Sequence, residues 1–155
     1  MTVSAEKPVP ALAIAEIADA DVATVIALWQ ACGLTRPWND PHADIALARR
    51  RDNSTVLIGR DNGAIVASVM VGHDGHRGWV YYVATDPDLR AKGYGRAIMK
   101  AAEDWLRAAG VPKLQLLVRP ENSGVAAFYQ SIGFGEQQIL FFTKWLDGRE
   151  PPRVG

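Results

Sequence analysis

The stretch Val83-Ala84-Thr85-Asp86-Pro87-Asp88-Leu89-Arg90-Ala91-Lys92-Gly93-Tyr94-Gly95-Arg96 sets a β-rich run, an Asp-Pro turn and two glycines directly ahead of the best-patterned helical segment in the chain. Downstream, Ile98, Ala101, Ala102, Trp105 and Leu106 recur at helical spacing, Gly110 is placed to close the helix, and Pro112 stands just beyond it. A helix that starts there turns free backbone N–H groups and the positive end of its dipole toward the loop, which favours an anion. Gly93 and Gly95 carry no side chain to block close approach, while Lys92 and Arg96 offset negative charge, so the loop suits a pyrophosphate. By itself, a Gly-x-Gly ahead of a helix is read equally well as a flexible connection with a solvated basic face.

Two nucleotide motifs are excluded at this point. A P-loop needs Gly-Lys followed by Ser or Thr, and Gly95-Arg96-Ala97 has neither the lysine nor the hydroxyl. A dinucleotide fingerprint places Gly or Ala where Ile98 stands and an acidic residue about 20 positions on, where Ala109 to Lys113 offers none.

Working outward, Trp79 to Thr85 is the strand that feeds the loop. It is preceded by Thr55 to Gly59 and Ala64 to Val71, two β-rich runs joined by Asp61-Asn62-Gly63, whose residues tolerate the positive φ of a tight hairpin. The turn-rich segment His73 to Gly78 links the second run to Trp79. Nearer the start, Leu12, Ile14 and Ile17 predict a strand. Asp19 or Asp21 then caps a helix carrying Val22, Val25, Ile26 and Trp29, with Gly33 as its stop. In Asn39-Asp40-Pro41 the aspartate suits an N-cap and the proline the first helical position, opening a short helix through Ile45 and Leu47 to Arg51. Beyond Gly110, Leu114 to Val118 reads as a strand, Asn122 as the cap of a helix through Phe128 and Tyr129 to Ser131, and Ile139 to Leu146 as a last strand. Strand runs interrupted by single helices indicate an α/β (α+β) domain, a mixed sheet covered by helices.

The bulk properties agree. The 155 residues suit one core, with 1–10 a loose leader, 11–148 a single domain and 149–155 a frayed tail. Seventeen basic residues balance seventeen acidic ones, which removes the net positive field of a general nucleic-acid or acidic-membrane binder. The single cysteine, Cys32, excludes an intramolecular disulfide framework and a multi-cysteine zinc site, and reads as a small thiol on a helix. No apolar run approaches the roughly 18 residues of a membrane span and the first ten residues lack a signal-peptide pattern, so a cytoplasmic location is expected.

Val83 to Gly95 resembles the central strand and the Arg/Gln-x-x-Gly-x-Gly/Ala loop of the GNAT superfamily of N-acetyltransferases. The likeness continues at Asn122, Ala126-Ala127-Phe128-Tyr129 and Ile132-Gly133-Phe134, and covers nearly all of Leu12 to Leu146. Leu34 to Pro41 and Met70 to Tyr82 further resemble the YpeA-type branch of that family. The resemblance implies a mixed, mostly antiparallel sheet of about six to seven strands flanked by about four helices and splayed between the fourth and fifth strands. It also implies acetyl-coenzyme A as cosubstrate, an amine acceptor and no metal. Val83, Ala84 and Thr85 would contact the acetyl and pantetheine groups, with a backbone N–H near Val83 or Ala84 polarising the thioester carbonyl. Arg90, Ala91, Lys92, Gly93, Tyr94, Gly95 and Arg96 would hold the pyrophosphate, and Asn122 would bond to the coenzyme arm. Tyr129 would protonate the departing thiolate; its other reading is an aromatic packed on a helix.

One departure stands out. Several family members carry a glutamate base on the fifth strand, where this chain has Leu117. A lysine-like amine with a pKa of about 10.4 must lose a proton before it attacks, so a base or a desolvating site is needed. Asp74 and His76, in the turn ahead of the fourth strand, are candidates for the base, or else ordinary hydrogen-bonded turn residues. His73 and His76 have a metal-like spacing but no assured third ligand. Arg36, Trp38, Asn39 and Asp40 lie in the region that lines the acceptor pocket by family analogy, where a Trp and a carboxylate seat a cationic amine; alternatively Trp38 anchors the loop and Asp40 caps the helix. The missing glutamate motivates a second reading, an acyl-coenzyme A sensor or interaction module with little turnover. A third is an enzyme that takes a larger acyl donor. Exposed apolar strand faces are compatible with a homodimer, and the acceptor itself is not specified.

Overall fold

The computed structural model describes residues 9–150, which fall into two compact units, one ending at Leu117 and the other beginning at Val118. The leader expected over 1–10 and the tail expected over 149–155 lie mostly outside the described residues. The first unit runs β1 (Ala13–Glu16), α1 (Val22–Ala31), α2 (Pro41–Ala48), β2 (Ser54–Asp61), β3 (Ala64–His73), β4 (Gly78–Thr85), α3 (Tyr94–Ala108) and β5 (Leu114–Gln115). Its sheet has the order β1-β2-β3-β4-β5, antiparallel through β4 and parallel between β4 and β5.

The local chemistry explains these elements. Asp40 caps α2, its Oδ1 accepting from His42 N at 2.9 Å and Ala43 N at 3.3 Å, and Pro41 takes the first helical position, where a missing N–H costs nothing. Asn62 and Gly63 have φ of 49° and 81°, the paired left-handed residues of a two-residue hairpin between β2 and β3. Around Asp74 the β3–β4 turn closes through its own carboxylate, which accepts from His76 N at 2.9 Å and Arg77 N at 2.7 Å.

The sheet is covered on both faces. Trp29, Val25, Ile26, Ile45 and Ala48 from α1 and α2 pack with Val56, Ile58 and Ala84 on one face. On the other, α3 packs on β2, β3 and β4 through the buried set Ala97, Ile98, Met99, Ala102 and Leu106. At Gly78 the approach is so close that a Cβ would lie 2.6 Å from Leu106 Cδ1, so a side chain here would require the buried Leu106 to shift.

The second unit holds α4 (Ser123–Ser131), in which Tyr129 is buried between the edges of Phe128 and Phe134. Two expectations are corrected. The strand expected over Leu114 to Val118 pairs for two residues only, and Ile139 to Leu146 forms no strand. The described residues therefore give five strands and four α-helices rather than six to seven strands. The reason is that β-propensity measures fit to a pleated, half-buried surface, and no neighbouring strand offers one to Ile139–Leu146, where Leu140 and Phe142 are 84% and 85% exposed. Among the described residues, no helix is long and apolar enough to cross a membrane.

Candidate active site

The centre of the site is an irregularity in β4. Met70 pairs with Tyr81 and Ser68 with Ala84, so Tyr82 and Val83 together face the single residue Val69, which is a β-bulge. Tyr82 has φ of 51°, a left-handed conformation that an aromatic residue adopts at a cost on the order of 1 kcal/mol or more. A regular strand would alternate, sending Tyr82 to the α3 face with Gly78 and Val80. The extra residue turns it instead onto the α1–α2 face, beside Tyr81 and Ala84.

Tyr82 stacks there on Trp29 with ring centroids 3.9 Å apart and planes within 4°. Its hydroxyl donates to Asp44 Oδ2 of α2 at 2.6 Å, and the Trp29 indole N–H donates to the buried Ser68 Oγ at 2.8 Å. Burial, reinforced by the Asp44 carboxylate, raises the Tyr82 hydroxyl well above the ordinary tyrosine range, so it stays a donor.

The edge of β4 past this point is open. β5 meets β4 only at Gly78–Leu114 and Trp79–Gln115, so Val80 to Thr85 have no strand beside them on that side among the described residues. This is the splay expected between the fourth and fifth strands, and it leaves main-chain groups available to an extended partner.

The loop follows at the end of β4. Asp86 Oδ1 accepts from Asp88 N at 2.9 Å, closing a 3-10 turn at Pro87–Leu89, and Ala91 and Gly93 take φ of 64° and 81°. The first carbonyl used in the following helix is that of Gly93, bonded to Ala97 N at 3.1 Å, and Gly93, at the N-cap, has no side chain to cap this end. The N–H groups of Tyr94, Gly95 and Arg96 therefore have no helical carbonyl ahead of them. The buried Tyr94 pins the helix start by donating its hydroxyl to Asp61 Oδ2, while Arg90 and Lys92 stay exposed. A Cβ on Gly93 would lie 3.0 Å from Pro10 Cδ, so the position is closed by both space and φ. Beside it, the Cys32 thiol donates to Thr85 O at 3.1 Å, and burial raises its pKa, which leaves it a structural donor.

Val83, Ala84 and Thr85 are thus brought to the same end of β4 as the Arg90–Arg96 loop. Asp74 and His76 are not, since they sit in the turn at the opposite end of the strand. His76 lies six positions before Tyr82, roughly 20 Å at the usual strand rise. The N–H groups of Arg77 and then His76 hold the Asp74 carboxyl below the usual carboxylate range, which weakens it as a base. Asp40 caps α2, Arg36 donates to the carbonyls of Gly33 and Thr35, and Trp38 is 38% exposed at the entrance to α2, with Asn39 beside it. In the second unit, Asn122 precedes α4 without a side-chain capping bond, and burial pushes the Tyr129 hydroxyl up to about 12. Among the described residues no three His, Cys, Asp or Glu side chains gather as a metal site.

Sequence reasoning missed Asp44, Tyr82 and Trp29 as a unit. Two signals were present: adjacent Tyr81 and Tyr82, which break the alternation of a strand, and Asp44, a carboxylate beside the core residue Ile45 in an otherwise apolar helix.

Residues 22–134 match the family described as Acetyltransferase (GNAT) family. An acetyltransferase of Yersinia enterocolitica is 41% identical over 126 residues, covering 81% of this chain and 89% of that protein. A putative acetyltransferase from Agrobacterium tumefaciens has a similar fold, with a TM-score of 0.72 at 22% identity over 86% of this chain and 99% of the other. So does AAC(6')-Iy in complex with a coenzyme A bisubstrate analogue, with a TM-score of 0.74 at 17% identity over 88% of this chain and 99% of the other. The open β4 edge, the glycine-led helix start and these likenesses agree: the chain belongs to the GNAT family and is an acetyltransferase that uses acetyl-coenzyme A as its cosubstrate.

Proposed function

We propose that the protein transfers the acetyl group to an amine, by direct attack in a complex that holds both substrates. The observation that carries this reading is the junction of an open, bulged β4 edge with an uncapped, glycine-led helix N-terminus. In it, the backbone N–H groups that start α3 bind the pyrophosphate of acetyl-coenzyme A, with Arg90, Lys92 and Arg96 supplying positive charge. The pantetheine arm lies along Val83 to Thr85, and Asn122 bonds to it. A backbone N–H at the bulge, near Val83 or Ala84, meets the thioester oxygen and stabilises the charge that develops there.

The amine, once it has released a proton to water, bonds to the carbonyl carbon as its neutral form; the carbon–sulfur bond breaks, Tyr129 gives its proton to the leaving thiolate, and the proton the nitrogen then loses restores the tyrosine. Trp38 and Asn39 line the acceptor side together with Arg36, while Asp40 acts through the cap of α2. Asp74 and His76, at the far end of β4, are assigned no proton transfer in this scheme. The segments Leu34–Pro41 and Met70–Tyr82 support a place in the YpeA-type branch. The balanced charge supports a protein without nucleic-acid partners.

A second reading, a coenzyme-binding sensor with little turnover, draws on Leu117, an apolar residue 45% exposed where several relatives carry a base. Calorimetric titration with acetyl-coenzyme A tests the common ground. We expect saturable one-to-one binding that Gly93→Val weakens at least tenfold while the far-UV spectrum is unchanged. Wild-type affinity in the folded variant would contradict the pyrophosphate assignment. Thiol release on any amine then separates the enzyme from the sensor.

A further inference from the structure

We infer that Asp44, held in place by Tyr82, is the anchor for the ammonium group of the acceptor, and that the acceptor is a cationic primary amine on an apolar stem. The inference rests on the proposed transfer to an amine and names the group that receives it. Asp44 lies in the first turn of α2, yet it does not cap that helix, because Asp40 already takes the N–H groups of His42 and Ala43. Its carboxylate instead reaches to β4 and accepts from the Tyr82 hydroxyl, an uncharged donor. Among the described residues it has no cationic partner, while Arg49, at the end of the same helix, pairs with Asp19. A half-buried carboxylate held by one neutral donor keeps acceptor capacity for a cation.

Its surroundings fit the rest of such a ligand. Tyr82 is stacked on Trp29, and next to it in β4 Tyr81 is 49% exposed, while Trp79, farther along the strand, donates to Asp74 at 3.4 Å. Aromatic faces beside a carboxylate hold an ammonium and its alkyl stem together. The bulge links this anchor to the chemistry, because the residue that fixes Asp44 directly precedes Val83, whose N–H is proposed to meet the thioester oxygen. Tyr82 is a positioning residue here, and Asp44 is the group that touches the acceptor: the ammonium docks on it and gives up one proton to water before the neutral amine attacks.

The test uses the full chain, labelled with nitrogen-15 and titrated with n-butylammonium chloride and, separately, n-butanol at matched ionic strength. Butylammonium should shift the backbone signals of Asp44 and Tyr82 and the Trp29 indole signal along one saturating curve, with butanol far weaker. Asp44→Asn should weaken butylammonium at least tenfold and Asp44→Glu should restore part of the loss, while acetyl-coenzyme A affinity stays within about twofold in both. The inference is overturned if butylammonium leaves those signals in place, if Asp44→Asn binds it as tightly as the wild type, or if butanol does as well. Failure to bind acetyl-coenzyme A would be seen independently and would count against the transfer reaction, while the ammonium titration would still decide the anchor.

Discussion

Tyr129 can hand a proton to a departing thiolate only if it still carries one at working pH. Its burial between Phe128 and Phe134 lifts it to about 12, so it remains protonated where a solvent-exposed tyrosine would begin to ionise. Tyr129→Phe should therefore lower turnover on the order of a hundredfold with acetyl-coenzyme A affinity nearly unchanged, and unaltered turnover would remove the residue from the reaction. The local structure around such residues is legible when a short motif marks it, as at the Gly93-Tyr94-Gly95 turn and the Phe128-Tyr129 helix, whereas the role of Tyr129 came from resemblance and is what the variant tests. The Asp44–Tyr82 bond was not legible. It joins residues 38 positions apart and depends on a bulge that reverses which way Tyr82 faces.

At the scale of elements, α2 shows how a cap acts at a distance. Asp40 fixes where the helix starts, and the start sets the direction in which Asp44 leaves it. Asp40→Ala should cost about 1 kcal/mol and lower the melting temperature by a few degrees, read by thermal unfolding. Loss of the cap should also broaden the Trp29 indole signal, since Tyr82 would lose a firmly held partner. Several elements governed by local rules matched expectation, although neither Asp21 at the start of α1 nor Asn122 at the start of α4 makes the side-chain capping bond expected of it. The hairpin through Asn62-Gly63, the Asp40-Pro41 helix start and the glycine stops at Gly33 and Gly110 were all readable, because one or two residues decide each. Ile139–Leu146 was not, because a strand exists only with a partner, and its own residues say nothing about whether one is present.

At the scale of the molecule, the raised tyrosines tie stability to alkaline pH. Unfolded tyrosine titrates near 10, while folded Tyr129 titrates near 12 and Tyr82 is raised as well. Protons are thus held more tightly in the folded state, so the stability is whole below about 10 and declines as pH climbs toward the folded values. Urea midpoints measured at pH 8 and between 10 and 12 should fall across that upper interval, and less steeply in Tyr129→Phe. The two-faced sheet was foreseen from the alternation of strands and helices. Its open edge was foreseen only through resemblance, since no pattern within β4 announces what fails to pair with it. The bulge has one more consequence, a mechanical one. Trp79 and Tyr81 on one side of it and Ala84 on the other share a face only because β4 carries one residue more than β3 at that point. Sliding the strand by one position would send one of these sets to the wrong layer, so the extra residue works as a pawl, locking β4 against slippage along β3 under any load a bound substrate applies.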